Sequence, residues 1–305
     1  MTAIPPTIST QMPISRPLSD IRRTRFWQRG LAYVLLITVT VLMAVPVLWM
    51  FSTAVRPENT VRQYPIQLIP PDFTLENFQQ AIDNYPSLIR WFFNSAVVAT
   101  ATSALSVLVD ALAAYSLARL DFFGKKLVFV GILATMLIPV EATMVPLYLG
   151  LARASVLSTD FGVYISLIMP VVANAFGLYL LTQFFQGIPT DLEDAAQIDG
   201  ATDFGIWWRI IIPLSGPAIT AVIIFTFMAS WNNFLWPFIV TSNDITRTLP
   251  AGLATIFGGI TGNPGSVKYG VVMAGATLAT LPPMLVFIVL QRYFVQGISM
   301  TGIKG

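Results

Sequence analysis

Few residues in this sequence could do chemistry, and they are unevenly placed. The 305 residues include neither histidine nor cysteine. That removes the usual general base, the commonest metal ligand, thiolate nucleophiles and disulfides. Two acids, Asp110 and Glu141, stand inside long apolar stretches. A carboxylate at mid-membrane costs about 2.5–3.5 kcal/mol on insertion scales, so such acids invite a functional reading. Asp110 falls within two turns of a predicted helix end and reads best as a structural group. Glu141, between Pro139 and Pro146, reads equally as a pathway or a pairing residue. Asn174 follows Pro170, and Asn232-Asn233 lie between Trp231 and Trp236. These are hydrogen-bonding groups of an inward face, or glue between helices. No carboxylates cluster at matching depth, so no catalytic constellation is visible.

A denser run of acids lies at Asp191, Glu193, Asp194, Asp199 and Asp203. Thr190 and Glu193 have the Thr-x-x-Glu spacing of a capping box, which predicts a helix start. Gly200 fits the position just past that helix, where a left-handed backbone is easiest without a Cβ. Thr202 can cap a second helix, which Pro213 must end or kink. On the first helix Leu192, Ala195, Ala196 and Asp199 fall on one side by their spacing. Paired alanines there leave backbone bare for close approach by another surface. From the residues alone, the segment reads equally as a mere link between two spans.

The elements that must position these residues follow from composition. Hydrophobic residues make up 55% of the chain and charged ones 10%, with a mean hydropathy of +0.72. A soluble domain averages about 25% charged residues, so this chain could not coat a soluble globule of its size. The class is an all-α integral membrane protein. A net charge of +2 gives nucleic acid no footing.

Six stretches are long and apolar enough to cross a bilayer, near 31–53, 94–117, 127–149, 161–184, 217–240 and 271–290. The fourth and fifth are interrupted by Asn174 and by Asn232-Asn233. The first is too long for a signal h-region and reads as a retained anchor. With the N-terminus inside, inner segments hold Arg16, Arg22, Arg23, Arg25, Arg29, Arg119, Lys125, Lys126, Arg209, Arg292 and Lys304. The outer ones hold Arg56, Arg62, Arg90, Arg153, Arg247 and Lys268, so the bias is eleven to six. Both termini are therefore expected in the cytoplasm. Residues 1–29 form a proline-punctuated tail with little to bury, expected to be disordered. The membrane body spans 30–305, with an outer loop at 54–93, a cytoplasmic loop at 187–216 and a C-terminal tail at 291–305. In the outer loop Thr74 can cap a short helix with Glu76 in its first turn.

The 187–216 segment resembles the EAA loop of ATP-binding-cassette importer permeases. Asp194-Ala195-Ala196 stands for Glu-Ala-Ala with Glu193 just before it, Asp199-Gly200-Ala201 supplies the central glycine, and Ile212-Pro213 replaces Leu-Pro. The resemblance covers about 30–305 and narrows to the shorter permease subunit of the maltose-type carbohydrate uptake family. Phe73-Thr-Leu-Glu-Asn-Phe78, Trp231-Asn-Asn-Phe-Leu-Trp-Pro237 and Gln296 to Gly305 are similar to that subfamily too.

The resemblance implies a type I importer permease fold in a prokaryotic cytoplasmic membrane. It implies that the loop, between spans four and five, is the coupling helix for partner ATPases. Glu193, Asp194, Ala195, Ala196, Asp199, Gly200, Ala201 and Pro213 are its contact and shaping residues. The implied companions are a second, non-identical permease, two ATPase subunits and an extracytoplasmic solute-binding protein. ATP and Mg would sit on the ATPases, because the one Gly-Lys pair here, Gly124-Lys125, lacks the rest of a phosphate-binding loop. Glu141, Asn174, Trp231, Asn232 and Asn233 become candidates for the translocation path, where amides and indoles suit a sugar. Gly302, Ile303, Lys304 and Gly305 become candidates for an ATPase-contacting tail. The implied cargo is a sugar or oligosaccharide. Alternatives are a polyol, glycerol phosphate ester or other small solute carried by the same complex type, or a secondary transporter driven by an ion gradient.

Overall fold

The structure is a computed structural model that describes residues 18–64, 68–70, 72–260 and 268–301. All regular elements among the described residues are helical. Helix α1 (Leu18–Ala54) carries a 27-residue apolar stretch, Gln28–Ala54, that is unburied along its most apolar window. It packs on the last helix, and most of the rest of its surface is exposed.

The 54–93 loop holds two short helices, α2 (Glu58–Val61) and α3 (Glu76–Asn84). Leu75 rather than Thr74 is the cap residue of α3, although the Thr74 hydroxyl still accepts the Glu76 N–H at 3.1 Å. Asn77, buried, donates its amide to the Ala54 and Arg56 carbonyls at 2.9 and 2.7 Å. Those carbonyls lie at the end of α1, where no intrahelical donor remains. The loop is thus fastened to the bundle.

Helix α4 (Leu88–Arg119) is the axis of the fold. Its 32 residues reach about 48 Å, more than a bilayer core of about 30 Å. The predicted third span is not one helix. It divides into α5 (Lys125–Ala134) with a 3-10 turn to Leu137, and α6 (Val140–Arg153), bent by 96°. Proline bars its predecessor from the α region, and Ile138 before Pro139 is extended at φ −86°, ψ 118°.

The fourth span breaks where Asn174 predicts it. Helix α7 (Asp160–Ile168) runs through a 3-10 turn containing Pro170, and α8 (Ala175–Gln186) leaves at 48°. The 187–216 loop supplies α9 (Asp191–Ile198), then α10 (Asp203–Ile206), a π turn (Trp207–Ile211) and α11 (Ile212–Leu214). Pro213 does not end this second helix. A proline ring crowds the carbonyl four residues back, here that of Arg209, and the backbone over Trp207–Ile211 is widened to a π turn.

The end comes at Ser215, where the chain bends by 80° into α12 (Gly216–Trp231). Pro217 lies in the first turn of that helix, where a missing N–H costs nothing. The predicted fifth span stops after Trp231 and resumes only as α13 (Leu235–Val240). Helix α14 (Leu249–Ile260) and the long α15 (Tyr269–Thr301) complete the chain. Glu58 caps α15 by accepting the Tyr269 and Gly270 N–H groups at 2.8 and 2.7 Å. Three described helices are therefore long and apolar enough to cross a membrane, and three bent pairs raise that to six if each pair is one crossing.

Two of the buried clusters use α4 at opposite ends. The lower one packs Ala111, Ala114 and Tyr115 of α4 against Leu181 and Phe185 of α8, Trp207 and Ile211 of the loop, and Val222 of α12. The upper one packs Leu88, Trp91 and Ala99 against Trp231 and Leu249.

Candidate functional site

Helix α9 is short, so its ends decide its shape. The Gly200 N–H donates to the Gln197 carbonyl and the Ala201 N–H to the Ala196 carbonyl, both at 2.9 Å. This is a Schellman pair, and Gly200 takes the left-handed conformation it needs, φ +81°. Thr202 then caps α10 by accepting the Gly205 N–H at 3.2 Å. The capping box at the start of α9 does not form. Thr190 is itself helical and its hydroxyl makes no cap bond.

Glu193 is drawn elsewhere. Its carboxylate lies 2.6 Å from Nε of Arg119, at the end of α4, and both side chains are about nine-tenths buried. The same guanidinium donates to the Ile188 carbonyl at 2.5 Å. One arginine thus holds both the entry to α9 and its first turn. Burial pushes the Glu193 carboxyl above the ordinary carboxylate range; Arg119 pulls it back, while Asp194 and Asp203 push it further up.

Farther along, Trp207 is buried and donates Nε1 to the Ala111 carbonyl at 3.3 Å, again on α4. Both helices of the loop are therefore fixed to one long helix.

The exposed side of the loop is apolar. Leu192 is 45% and Ile198 87% exposed, with Ala195 between them at helical spacing. Phe204 and Trp208 extend this surface at 65% and 58%. Asp194 and Asp199 are exposed beside it. Ala196 faces inward and packs on the lower cluster, so the predicted one-sided set divides between two faces. Sequence reasoning missed Ile198, Phe204, Trp208 and Arg119. The 192–195–198 spacing was the available signal for Ile198.

A second site lies higher in the bundle. The breaks at Ile138, at Pro170–Asn174 and near Asn233 surround a cavity of about 460 Å³. Asn174 lines it; its side-chain oxygen accepts the Phe176 N–H at 3.0 Å, which leaves its amide nitrogen as a donor. The Asn174 N–H in turn donates to Asp110 at 3.1 Å. Asp110 is buried, and its other oxygen is enclosed by α8: a Cβ at Gly177 would come 2.4 Å from it.

Of the predicted path residues, Asn174 and Asn233 line the cavity and the other three do not. Glu141 is exposed in the first turn of α6, and Asn232 is exposed beyond α12. Trp231 is buried between Phe92 and Phe227 and donates to the Ala279 carbonyl at 2.9 Å. Gly302, Ile303, Lys304 and Gly305 lie outside the described residues.

Broken helices around an open cavity, with a stiff loop beyond one end, define a helical membrane transport subunit. Residues 110–300 match the family described as binding-protein-dependent transport system inner membrane component. The arabinooligosaccharides transport system permease protein AraQ of Halalkalibacterium halodurans is 33% identical over 90% of this chain and 95% of its own. The sn-glycerol-3-phosphate transport system permease protein UgpE of Brucella melitensis is 30% identical over 94% and 98%. The fold is similar to a chain in the crystal structure of a bacterial ABC transporter involved in import of the acidic polysaccharide alginate. That match has a TM-score of 0.75 at 22% identity, covering 93% of this chain and all of the other. The chain belongs to the binding-protein-dependent inner-membrane family and is a permease subunit of an ATP-binding-cassette importer.

Proposed function

We propose that this permease carries a sugar or oligosaccharide inward across a prokaryotic cytoplasmic membrane. It crosses six times with both termini in the cytoplasm, and alternating access is driven by two ATPase subunits docked below. The observation that carries this reading is the exposed apolar stripe of α9, held rigidly on α4 through Glu193 and Arg119. An isolated exposed helix of eight residues would fray. One bolted to a membrane-spanning lever can transmit rigid-body motion when a partner grips it.

In this reading Leu192, Ala195 and Ile198 enter a cleft on the ATPase, and Asp194 and Asp199 make charge-assisted contacts at its rim. Gly200 and Ala201 return the chain, while Pro213 shapes the π turn. Glu193 acts from inside, as the anchor. The tail at 302–305 adds a contact between the ATPases. The remaining companions are a second, non-identical permease and a solute-binding protein outside.

The sugar assignment is supported by the arabinooligosaccharide relative. The glycerol-phosphate relative favours a second reading, the same machine with a phosphate ester as cargo. Gentle purification from native membranes through a tag on this chain tests the assembly. Recovery of a P-loop ATPase with a second multi-span protein is the expected result. Recovery of this chain alone, transporting without ATP, would put a gradient-driven carrier in its place.

A further inference from the structure

The turn that leaves α4 carries a surface with no part in the transport reading. After Arg119 the chain reads Leu120-Asp-Phe-Phe-Gly-Lys-Lys-Leu127. The Lys125 N–H donates to the Phe122 carbonyl at 3.3 Å, and Gly124 is left-handed at φ +81°, ψ 3°. That is the pattern of a type II turn, whose third residue takes a positive φ. Phe123 occupies the corner and is fully exposed, with Phe122 exposed beside it. Lys125 lies 3.5 Å from Asp121, while Lys126 is exposed and makes no ion pair among the described residues. The turn is thus a projecting aromatic tip with a net positive edge.

Its depth follows from the helices on either side. Helix α4 reaches about 48 Å against a bilayer core of about 30 Å. Shared between two ends, the excess is about 9 Å at each, roughly the thickness of a headgroup layer. The tip therefore stands where acyl chains give way to phosphates. From it α5 turns one side to the bundle, with Phe129 stacked on Tyr179 of α8, and leaves Leu127, Val128 and Val130 exposed. The apolar surface continues from the tip onto the flank of a membrane helix.

We propose that the Phe122–Lys126 turn is an anchor for anionic phospholipid, with Phe123 among the upper acyl segments and Lys126 on the headgroup charge. It rests on the membrane crossing in the reading above, and on neither the ATPases nor the cargo. An exposed aromatic side chain gains by leaving water for the boundary of headgroups and acyl chains. A lysine there adds attraction only where the lipid carries net negative charge, since a choline headgroup offsets its own phosphate. Two adjacent phenylalanines on a projecting corner offer a protein partner no groove, whereas fluid lipid closes around a projection.

Photo-crosslinking tests the anchor. The complete importer is made with benzoylphenylalanine in place of Phe123, or in place of Leu36 on the exposed flank of α1 as the membrane control. It is reconstituted in nanodiscs of equal parts phosphatidylglycerol and phosphatidylcholine and irradiated, and adducts on this subunit are identified by mass spectrometry. The expected result is lipid at both positions. The phosphatidylglycerol to phosphatidylcholine ratio at 123 should be at least about threefold that at 36. Lys126→Gln leaves Lys125 and Asp121 to offset each other, so the two ratios should come together. Lys126→Arg should keep them apart, because the charge is what the lipid meets. A protein adduct at 123, no adduct there, a ratio equal to that at 36, or a ratio unmoved by Lys126→Gln would overturn the proposal. Lipid at 36 with none at 123 leaves the membrane reading standing, and lipid at neither position removes both.

Discussion

Arg119 and Glu193 stand 74 residues apart in sequence and 2.6 Å apart in space. The pair joins the last turn of a membrane-length helix to the first turn of the exposed helix α9. Because both partners are buried, neither can be removed without leaving the other charge stranded. This is a stiff joint, unlike an exposed ion pair that water and salt would soften.

Arg119→Ala should therefore loosen α9 more than any substitution on its outer face. Stranding a buried carboxylate costs about 3–5 kcal/mol, and here the Ile188 carbonyl also loses its donor. The expected outcome is faster amide hydrogen exchange across 188–200 in the purified complex, with ATP hydrolysis less dependent on cargo. Arg119→Lys keeps the charge but cannot reach both acceptors in fork geometry, so its exchange should be intermediate. Unchanged exchange in Arg119→Ala would show that the joint carries no strain from α9 to α4.

The pH dependence has a definite sign. Burial raises the Glu193 carboxyl in the folded protein above its ordinary value of 4.5. Between that value and the raised one, the folded state binds more protons at this site than the unfolded state. Its contribution to stability is then fully present below the ordinary value and is lost as pH rises through the window. Glu193→Gln removes the titration. Its Tm relative to the unsubstituted protein should become more favourable as pH rises through the window and then level off. A difference moving the other way would mean that Arg119 outweighs burial.

What could be read in the sequence follows from how local each feature is. The end of α9 was legible because a Schellman turn needs one glycine and a cap needs one threonine, and Gly200 and Thr202 stand three residues apart at most from what they bond. The break at Asn174 was legible for the same reason. Glu193 was misassigned to a capping box because that spacing is local, while Arg119, its real partner, is supplied by the tertiary fold. Hydropathy reads the third span as continuous despite Pro139, since an average over a window does not register a single restricted residue. The cavity was legible only in part. Asn174 and Asn233 announce themselves by their polarity, but Thr102 and Thr226 look like ordinary helix residues until three separate breaks converge on them.

Gly200 separates backbone strain from docking. A Cβ there meets nothing within 4 Å, so the strain of Gly200→Ala comes from the left-handed φ alone. That costs roughly 1–2 kcal/mol. Gly200→Asp adds a bulky charge at the end of the exposed stripe, and Ala196→Asp buries a charge against the lower cluster near Glu193. Both aspartate variants should insert in the membrane and yet uncouple or release the ATPases, while Gly200→Ala retains most transport. The check is ATPase recovery in a pull-down alongside uptake. Wild-type uptake by both aspartate variants would remove the loop from the coupling path.

Gly177 tests whether Asp110 is a fixed part of the bundle. The glycine lies in the first turn of α8, where its missing Cβ leaves room for the enclosed oxygen of Asp110 and for Val222 of α12. Gly177→Ala would set a methyl 2.4 Å from that oxygen and 3.3 Å from the Val222 side chain, so either Asp110 is displaced or α8 shifts against α4 and α12. Overpacking of this kind costs about 1–3 kcal/mol. Gly205→Ala is the matched control, since its Cβ would meet only the Thr202 hydroxyl at 3.4 Å, an ordinary contact. The two substitutions add the same atoms at the same helix propensity, so the difference between them isolates packing. Thermal unfolding should show a clear loss of Tm for Gly177→Ala and little or none for Gly205→Ala. In the double variant Gly177→Ala, Asp110→Ala the clash with Asp110 is gone, but the close approach to Val222 stays and the Asn174 N–H has lost its acceptor, so recovery should be partial. Equal Tm for Gly177→Ala and the unsubstituted protein would mean that Asp110 swings clear, and that the contact beneath the cavity is not a fixed one.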